Sequence, residues 1–487
     1  MVEIELKFQL SERKKKSVLQ ALKAKTAQKI RLQAKYYDTA DRVLAKNHMA
    51  IRLRQEGDHW VQTFKASGKS HLERIENEVQ LGQCEVEPEL NLDLFSENKI
   101  VKDLLDQVLA DQQHQLTLQF QTDVHRTFRI ITIDGTDIEV CLDDGVVSTT
   151  EQSEKICEVE FELKQGSPEQ LILFTQDWVN KYQLWLDVRS KAERGNLLSV
   201  KQKASPAVKA KTLILHKEDS TDVAIRKMVA NALQQLLPNT AVIADGVANP
   251  EHIHQARIAI RRIRSIFKSF QSWSDDIDPS WENQLKQIFQ ALGTTRDLDV
   301  VSDEIFPELL KAEAPFSTLP ESAAIDNQIH LLFQKSETVC LLLQLLAFSY
   351  HEQSNHQKSS KLKKESKALL SQLHQKIIHD ADHFSQLEIE ERHRTRKRCK
   401  RLRYCIEFIS SLYDPKAVKK YLNRLQAVQE KLGLYNDLHV AEHVFRESAH
   451  RQAEFWFAVG WSKAKQEQLL LESEQELKKF ADTKVFW

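Results

Sequence analysis

Between Met1 and about Val200 the dominant pattern is an alternation of apolar and polar positions. The segments EIELKF, MAIRLRQ, WVQTFKA, FRIITI, TDIEVCLDDG and ICEVEFELK all carry the two-residue period of a half-buried strand. Three interruptions have helical spacing instead, Glu12 to Lys25, Ser96 to Leu109 and Pro168 to Tyr182, the last opening on a proline suited to a first helical turn. This half is therefore α+β. Several of its strands are charged on one face, as Glu3, Glu5 and Lys7 are set against Val2, Ile4 and Leu6. Such a face either meets solvent or lines an interior.

Strand-like alternation stops at KQKASPAVKAK, Lys201 to Lys211, a basic stretch broken by Pro206. Long helical patterns follow, among them VAIRKMVANALQQLL and KALLSQLHQKIIHDADHF, with few glycines, which predicts an all-α bundle. The expected organisation is a strand-rich domain over 1–200, a linker over 201–217 and a helical domain over 218–487. A polar run, His351 to Ser366, reads as a solvated connector between halves of about 218–350 and 367–487. The halves repeat. His254, Arg257, Arg261 and Arg264 recur as His393, Arg396, Lys400 and Arg403 at an offset of 139 residues. Gly293, Arg296 and Asp297 recur as Gly433, Asn436 and Asp437 at an offset of 140. Two composite patterns repeating in order predict an internal duplication.

Length and composition narrow the class. A chain of 487 residues exceeds what one hydrophobic core usually serves, so at least two domains are expected. With 41% hydrophobic and 29% charged residues it resembles neither a disordered nor a membrane chain. The formal net charge of −1 conceals local segregation of sign. Six scattered cysteines without a CxxC pair suggest reduced thiols rather than a disulfide framework or zinc site. The opening MVEIELKF has no apolar leader core and no 18-residue apolar stretch occurs, which favours the cytoplasm and no membrane.

Strand parity groups the chemistry. Glu3, Glu5 and Lys7 share a face, as do Arg52 with Arg54, Thr63 with Lys65, Glu76 with Glu78, and Glu158 with Glu160 and Glu162. Carboxylates at both ends of the domain with cations between them suit a polyanion bound with Mg²⁺ or Mn²⁺: hard oxygens hold the metal and cations neutralise phosphate. In order along the chain, EIELK, KYYDT, IRLR, TFK, RIENEV, HR, IEVCLDDG, ICEVEFEL and SKAERG resemble the CYTH family, the triphosphate tunnel metalloenzymes. The resemblance implies an eight-stranded antiparallel barrel, open at both ends, with a polar lumen and apolar faces packed outward. It implies metal ligands at Glu3, Glu5, Glu158 and Glu160. It also implies a catalytic set of Lys7, Arg52, Arg54, Lys65, Glu78, Arg126, Asp143 and Lys191, in which the cations clamp phosphate. The catalytic base is not identified, and Glu162 could replace a neighbouring carboxylate. Lys164 and Glu151 match no motif and read as solvated charges. Asn196 stands where the family commonly has an aromatic residue.

In the helical half, His254, Arg257, Arg261 and Arg264 fall within an arc of roughly 80° beside an apolar stripe of Ile253, Ala256, Ile260, Ile263 and Phe267. RHRTRKRCKRLRY, Arg392 to Tyr404, holds eight Lys or Arg in thirteen positions without a carboxylate. Crowded like charges call for an anion. Salt bridges to Asp297, Asp299, Asp437 or the LEIEE run are the structural alternative, and a satisfied place in the packing is an equal alternative to ligand binding for His254 and His393. Nucleic acid is not expected, because aromatic residues for base stacking are sparse. HQARIAIRRIR with LGTTRDLD, and HRTRKRCKRLRY with LGLYNDLHV, resemble the CHAD domain. That resemblance implies a pseudo-symmetric bundle binding inorganic polyphosphate through His254, Arg257, Arg261, Arg264, His393, Arg396, Lys400 and Arg403.

The combined expectation is metal-dependent hydrolysis of tripolyphosphate to pyrophosphate and phosphate, with a helical domain holding polyphosphate. The alternatives are a class IV-type adenylyl cyclase, a thiamine triphosphatase and a non-catalytic polyphosphate scaffold. Oligomeric state stays open.

Overall fold

The protein is described by a computed structural model over residues 2–23, 25–68, 70, 72–84, 86–110, 115–293, 301–319, 328–350 and 362–487. Eight strands form a closed antiparallel barrel: β1 (Val2–Gln9), β2 (Gln28–Asp38), β3 (Met49–Glu56), β4 (His59–Ser67), β5 (Glu73–Gln83), β6 (Thr117–Ile133), β7 (Thr136–Ser148) and β8 (Ser153–Gln165). Their order is β5-β4-β3-β2-β6-β7-β8-β1, and β1 returns to β5. The short β1 closes the ring by dividing its partners. Val2 to Ile4 pair with Ile75 to Glu73, and Glu5 to Gln9 pair with Glu162 to Glu158. A two-residue strand, β9 (Trp185–Leu186), adds to β1 opposite Gln9 and Phe8. The β6–β7 hairpin turns on Asp134 and Gly135, both at positive φ, as a tight two-residue turn between right-twisted strands requires.

The outer face is identified by what covers it. A helix over Lys99–Leu109 buries Val101, Leu105 and Leu109 against Ile51, Phe64, Ala66 and Phe95. Asn98 caps it, its side chain accepting from the Val101 amide. Taken in chain order, the helices of this half are α1 (Glu12–Ala21), α2 (Val43–Lys46), α3 (Lys99–Leu109), α4 (Pro168–Tyr182) and α5 (Lys191–Ser199). The first two helical interruptions are thus shorter than the sequence pattern suggests, and the third matches α4. Since Ile51 and Phe64 face α3, the alternate residues Arg52, Arg54, Thr63 and Lys65 face the lumen.

The lumen is not polar throughout. Leu32, Ala34, Tyr36, Phe120, Val124, Val147 and Ile156 form a buried apolar cluster with Ala192 and Leu198 of α5. By strand parity these residues share the inner face with Arg52, Arg54 and Arg126. A Cβ at position 195 would lie 2.2 Å from the Phe120 ring, so Gly195 is what lets α5 lie directly on β6.

The chain divides into two compact units, 1–208 with 234–253 and 330–350, and 209–233 with 254–329 and 351–487. Two segments that the sequence pattern assigns to the bundle therefore cluster with the barrel. One is the helix Ser336–Tyr350, apolar on nearly every side and so suited to full burial, which packs on α4. The helical region contains α6 (Thr221–Ala244), α7 (Pro250–Phe270), α8 (Ser280–Ala291) and the helices Leu362–Ala381, Ile389–Ile409, Pro415–Ala449 and Trp456–Ala481. Both ends of α7 lie 139 residues before those of its counterpart, Pro250 to Ile389 and Phe270 to Ile409. Each is followed by a single 3-10 turn, Gln271–Trp273 and Ser410–Leu412, at the same spacing. The run expected as a connector is helical from Leu362 onward; 351–361 lies outside the described residues. Among the described residues, no helix is long and apolar enough to cross a membrane.

Candidate functional site

Register brings the inner-face charges into two groups. In the first, Asp143 stands opposite both Arg126 and Glu158, while Glu160 stands opposite Lys7. Asp143, Glu158 and Glu160 bring carboxylate oxygens within 4.8 Å of one another. All three converge on Lys191 at the start of α5, whose Nζ lies 2.7, 2.5 and 2.7 Å from them. Ser190 sets that geometry by capping α5, its hydroxyl accepting from the Glu193 amide at 3.1 Å. Arg126 donates to Asp143 and Glu160. One turn further along α5, Arg194 donates to the Lys155 carbonyl at 2.6 Å and approaches Glu158 at 3.5 Å.

Burial alone would raise the Asp143 and Glu160 carboxyls; the surrounding cations reverse it. It pushes the Glu160 carboxyl up, but Lys191, Arg126 and Lys7 hold it well below the usual carboxylate range. Asp143 is lowered in the same way, burial being overcome by Arg126 and Lys191. Burial would also discharge Lys191, yet the three carboxylates keep it firmly protonated. The triad is thus an all-oxygen donor set already gathered around a cation, which is the arrangement a hard divalent metal takes.

The second group lies on β1, β3, β4 and β5. Lys65 Nζ is 3.0 Å from both Glu3 and Glu76. Arg52 and Arg54 approach Glu78 at 3.6 and 3.2 Å. Among the described residues, the Nε atoms of both arginines are buried without a hydrogen-bond partner. Such donors mark a place where an acceptor is missing. Glu3 is raised, chiefly by burial against the opposing pull of Lys65. Burial, with Glu3 and Glu139 nearby, pushes Glu162 up to about 7. Glu5 joins neither group and accepts from Arg74 Nε at 3.3 Å. The four carboxylates expected to bind metal are therefore distributed: Glu158 and Glu160 sit with Asp143, Glu3 with Glu76, and Glu5 with Arg74.

Pattern reading missed Arg74, Gln9, Asp187, Arg189 and Arg194. Parity along β1 would have found Gln9, which continues the face of Glu3, Glu5 and Lys7. Lys164 is exposed and contacts Glu162 at 2.6 Å and Glu139 at 3.5 Å. Asn196 accepts from Arg42 at 3.2 Å. A further group, Glu12, Asp144 and Cys157, meets the distance for metal binding, but Lys15 and Lys155 already pair its acids and the thiol is pushed up to about 12 by burial.

On α7, Arg257, Arg261 and Arg264 gather around the Phe289 ring of α8 at 4.6, 5.0 and 5.7 Å. Arg264 also pairs with Glu282 at 2.8 Å. His254 is part-buried on the same helix. In the second copy Arg403 pairs with Glu407 at 2.7 Å and donates to Gln429 at 3.2 Å, and Arg396 lies 4.0 Å from Asp437. The His393 ring stands 5.4 Å from that of His439, and burial lowers its pKa. Lys400, on the same helix as His393 and Arg403, is part-buried. Part of each stripe is thus engaged by protein, including Arg396 by Asp437, one of the acids expected; Arg296, Asp297 and Asp299 lie outside the described residues.

Comparison with known proteins gives two family matches, a CYTH domain over residues 1–195 and a CHAD domain over residues 227–446. An inorganic triphosphatase of Haemophilus influenzae is 34% identical over 170 residues, which is 34% of this chain and 46%, about half, of that relative's length. Among solved structures, a CHAD domain from Ricinus communis is 23% identical, covering 58% of this chain and 99% of that one with a TM-score of 0.46. A Hippeastrum protein described by a dominant triphosphatase activity is 17% identical, covering 42% of this chain and 98% of its own, with a TM-score of 0.30.

Proposed function

The chain carries a CYTH domain followed by a CHAD domain, and on that premise we propose that its barrel hydrolyses inorganic triphosphate to pyrophosphate and phosphate with Mg²⁺ or Mn²⁺. The observation that supports this best is that one inner face carries both the Asp143, Glu158 and Glu160 carboxylates and the buried Nε donors of Arg52 and Arg54 that lack a hydrogen-bond partner among the described residues. Asp143, Glu158 and Glu160 would hold the metal, with Glu3 and Glu5 as further carboxylate donors that would have to give up Lys65 and Arg74 to reach it. A bound divalent cation neutralises phosphate charge and orients the oxygens around the reacting phosphorus.

The remaining work falls to the chain's own cations. Arg52, Arg54, Lys65 and Arg126 bind the equatorial oxygens and stabilise charge that develops as the phosphoanhydride bond breaks. Glu78 orients Arg52 and Arg54. Lys7 and Lys191 complete the clamp. Water attacks the terminal phosphorus. The apolar cluster of β2, β6, β7, β8 and α5 gives a charged chain no partners along that stretch of the lumen, which favours a triphosphate over a longer polyphosphate. The CHAD domain, in this reading, holds polyphosphate through the arginine stripes of α7 and its counterpart.

The test is phosphate release from tripolyphosphate, thiamine triphosphate, ATP and long polyphosphate, with each metal and with chelator. Fastest turnover on tripolyphosphate, abolished by chelator, is the expected result. Cyclic AMP from ATP would replace the hydrolase with a cyclase, and turnover undiminished by chelator would remove the metal.

A further inference from the structure

Behind the carboxylate triad lies a buried polar chain that the reaction itself does not use. The Gln9 amide nitrogen bridges two acids, donating to Glu158 Oε2 at 3.0 Å and to Asp187 Oδ2 at 3.2 Å. Its two N–H groups are thereby both spent. Asp187 and Glu158 are almost wholly buried. Asp187 is held in turn by Arg189, whose Nε and Nη2 donate to its two oxygens at 3.0 and 2.8 Å. The outer edge of the same guanidinium donates to Asp245, with Nη1 and Nη2 at 3.2 and 3.1 Å.

The residue between Asp187 and Arg189 serves a second carboxylate. Arg74 Nη2 donates to the Val188 carbonyl at 3.1 Å while its Nε donates to Glu5 at 3.3 Å. The Asp187 amide is itself fixed to β1, donating to the Lys7 carbonyl at 3.0 Å. Three consecutive residues therefore reach Glu158 through Gln9 and Glu5 through Arg74. Asp245 directly follows α6, far from these residues in sequence and outside the 1–195 match, yet within the same compact unit.

We propose that Asp187, Val188 and Arg189, anchored by Asp245, position Glu158 and Glu5 for divalent-cation binding, so that the barrel's metal affinity depends on a residue of the helical region. The inference rests on the reading of Glu158 and Glu5 as metal ligands. The physical reason is that a free carboxylate rotates about its last torsion, and a partner that fixes one oxygen leaves the other aimed at the cation. Loss of such supporting contacts typically weakens metal binding by about 10- to 100-fold. Gln9 touches Glu158 directly and Asp245 acts through three intervening residues, so the two differ in expected size.

The experiment uses the full chain and reads Mn²⁺ binding from the spin-resonance signal of the free ion, without substrate. Gln9→Leu is expected to weaken Mn²⁺ binding by about tenfold or more and Asp245→Ala by a smaller factor. Asp245→Glu, which retains the carboxylate, restores most of the loss. Melting temperatures of the three variants serve as the folding control. Mn²⁺ affinity in Gln9→Leu and Asp245→Ala equal to wild type overturns the proposal. Equal losses in Asp245→Ala and Asp245→Glu reduce Asp245 to packing and overturn its anchoring role. Absence of Mn²⁺ binding by the wild-type chain overturns the metal reading itself, and this inference with it.

Discussion

Arg126 grips Asp143 through two parallel hydrogen bonds, Nε to Oδ1 and Nη2 to Oδ2, both 2.7 Å long. The two residues face each other across the β6–β7 ladder, and the carboxylate is wholly buried. A planar fork on a buried acid fixes direction as well as charge. It holds Asp143 ionised and turned toward Lys191.

Replacing the fork by a point charge tests that geometry. Arg126→Lys preserves the positive charge but supplies only one of the two parallel bonds, and the two side chains are not equivalent at a bidentate site. The expected outcome is a fall in kcat/KM for tripolyphosphate on the order of 100-fold, consistent with losing one charge-assisted contact of about 1.5–3 kcal/mol. The melting temperature should move by only a few degrees, because Lys191 still pairs with Asp143. Steady-state kinetics beside a thermal melt would decide it; unchanged kcat/KM would mean that charge alone suffices.

The arginines of α7 share a ring. Arg257, Arg261 and Arg264 gather around Phe289, and Arg264 is also tied to Glu282. Neutralising Arg257 with Arg261, or Lys400 with Arg403, should weaken polyphosphate binding by the full chain and flatten the slope of log affinity against log salt, because fewer condensed counterions are released. The measurement belongs in an Arg52→Ala, Arg54→Ala background, where the barrel no longer competes. An unaltered slope with a lowered melting temperature would assign the stripes to structure.

Acid titration reports on the Asp187–Arg189 pair. Burial pushes the Asp187 carboxyl up, but Arg189 more than reverses this and holds it at about 2 against an ordinary 3.8. An acid whose pKa is lowered by folding contributes stability above its unfolded value and loses it as pH falls through the folded one. The free-energy difference between wild type and Asp187→Asn should therefore be full near pH 5 and shrink by on the order of 2 kcal/mol toward pH 2. Urea unfolding at closely spaced pH values measures it. A difference independent of pH would mean that the variant loses packing rather than a charge pair.

Much of this protein was legible locally. The two-residue period placed Glu3, Glu5 and Lys7 on one face, Arg52 with Arg54, and Glu158 with Glu160, because side-chain alternation is a property of each strand alone. The duplicated stripe was legible for the same reason, since helical spacing is local, and the helices ending at Phe270 and Ile409 retain the 139-residue offset. Which charges meet was decided only by closure. Glu3 and Glu5 are neighbours on one face, yet in the closed barrel Glu3 meets Lys65 of β4 while Glu5 meets Arg74 of β5. Asp143 enters the triad through its register opposite Glu158, and Lys191 enters because Gly195 lets α5 lie on Phe120. Asp245 reaches Arg189 across 56 residues of chain. Alternation costs nothing to encode in a few residues; register, closure and helix docking depend on pairings between segments far apart, whose free energy belongs to the assembled barrel and to no single stretch of sequence.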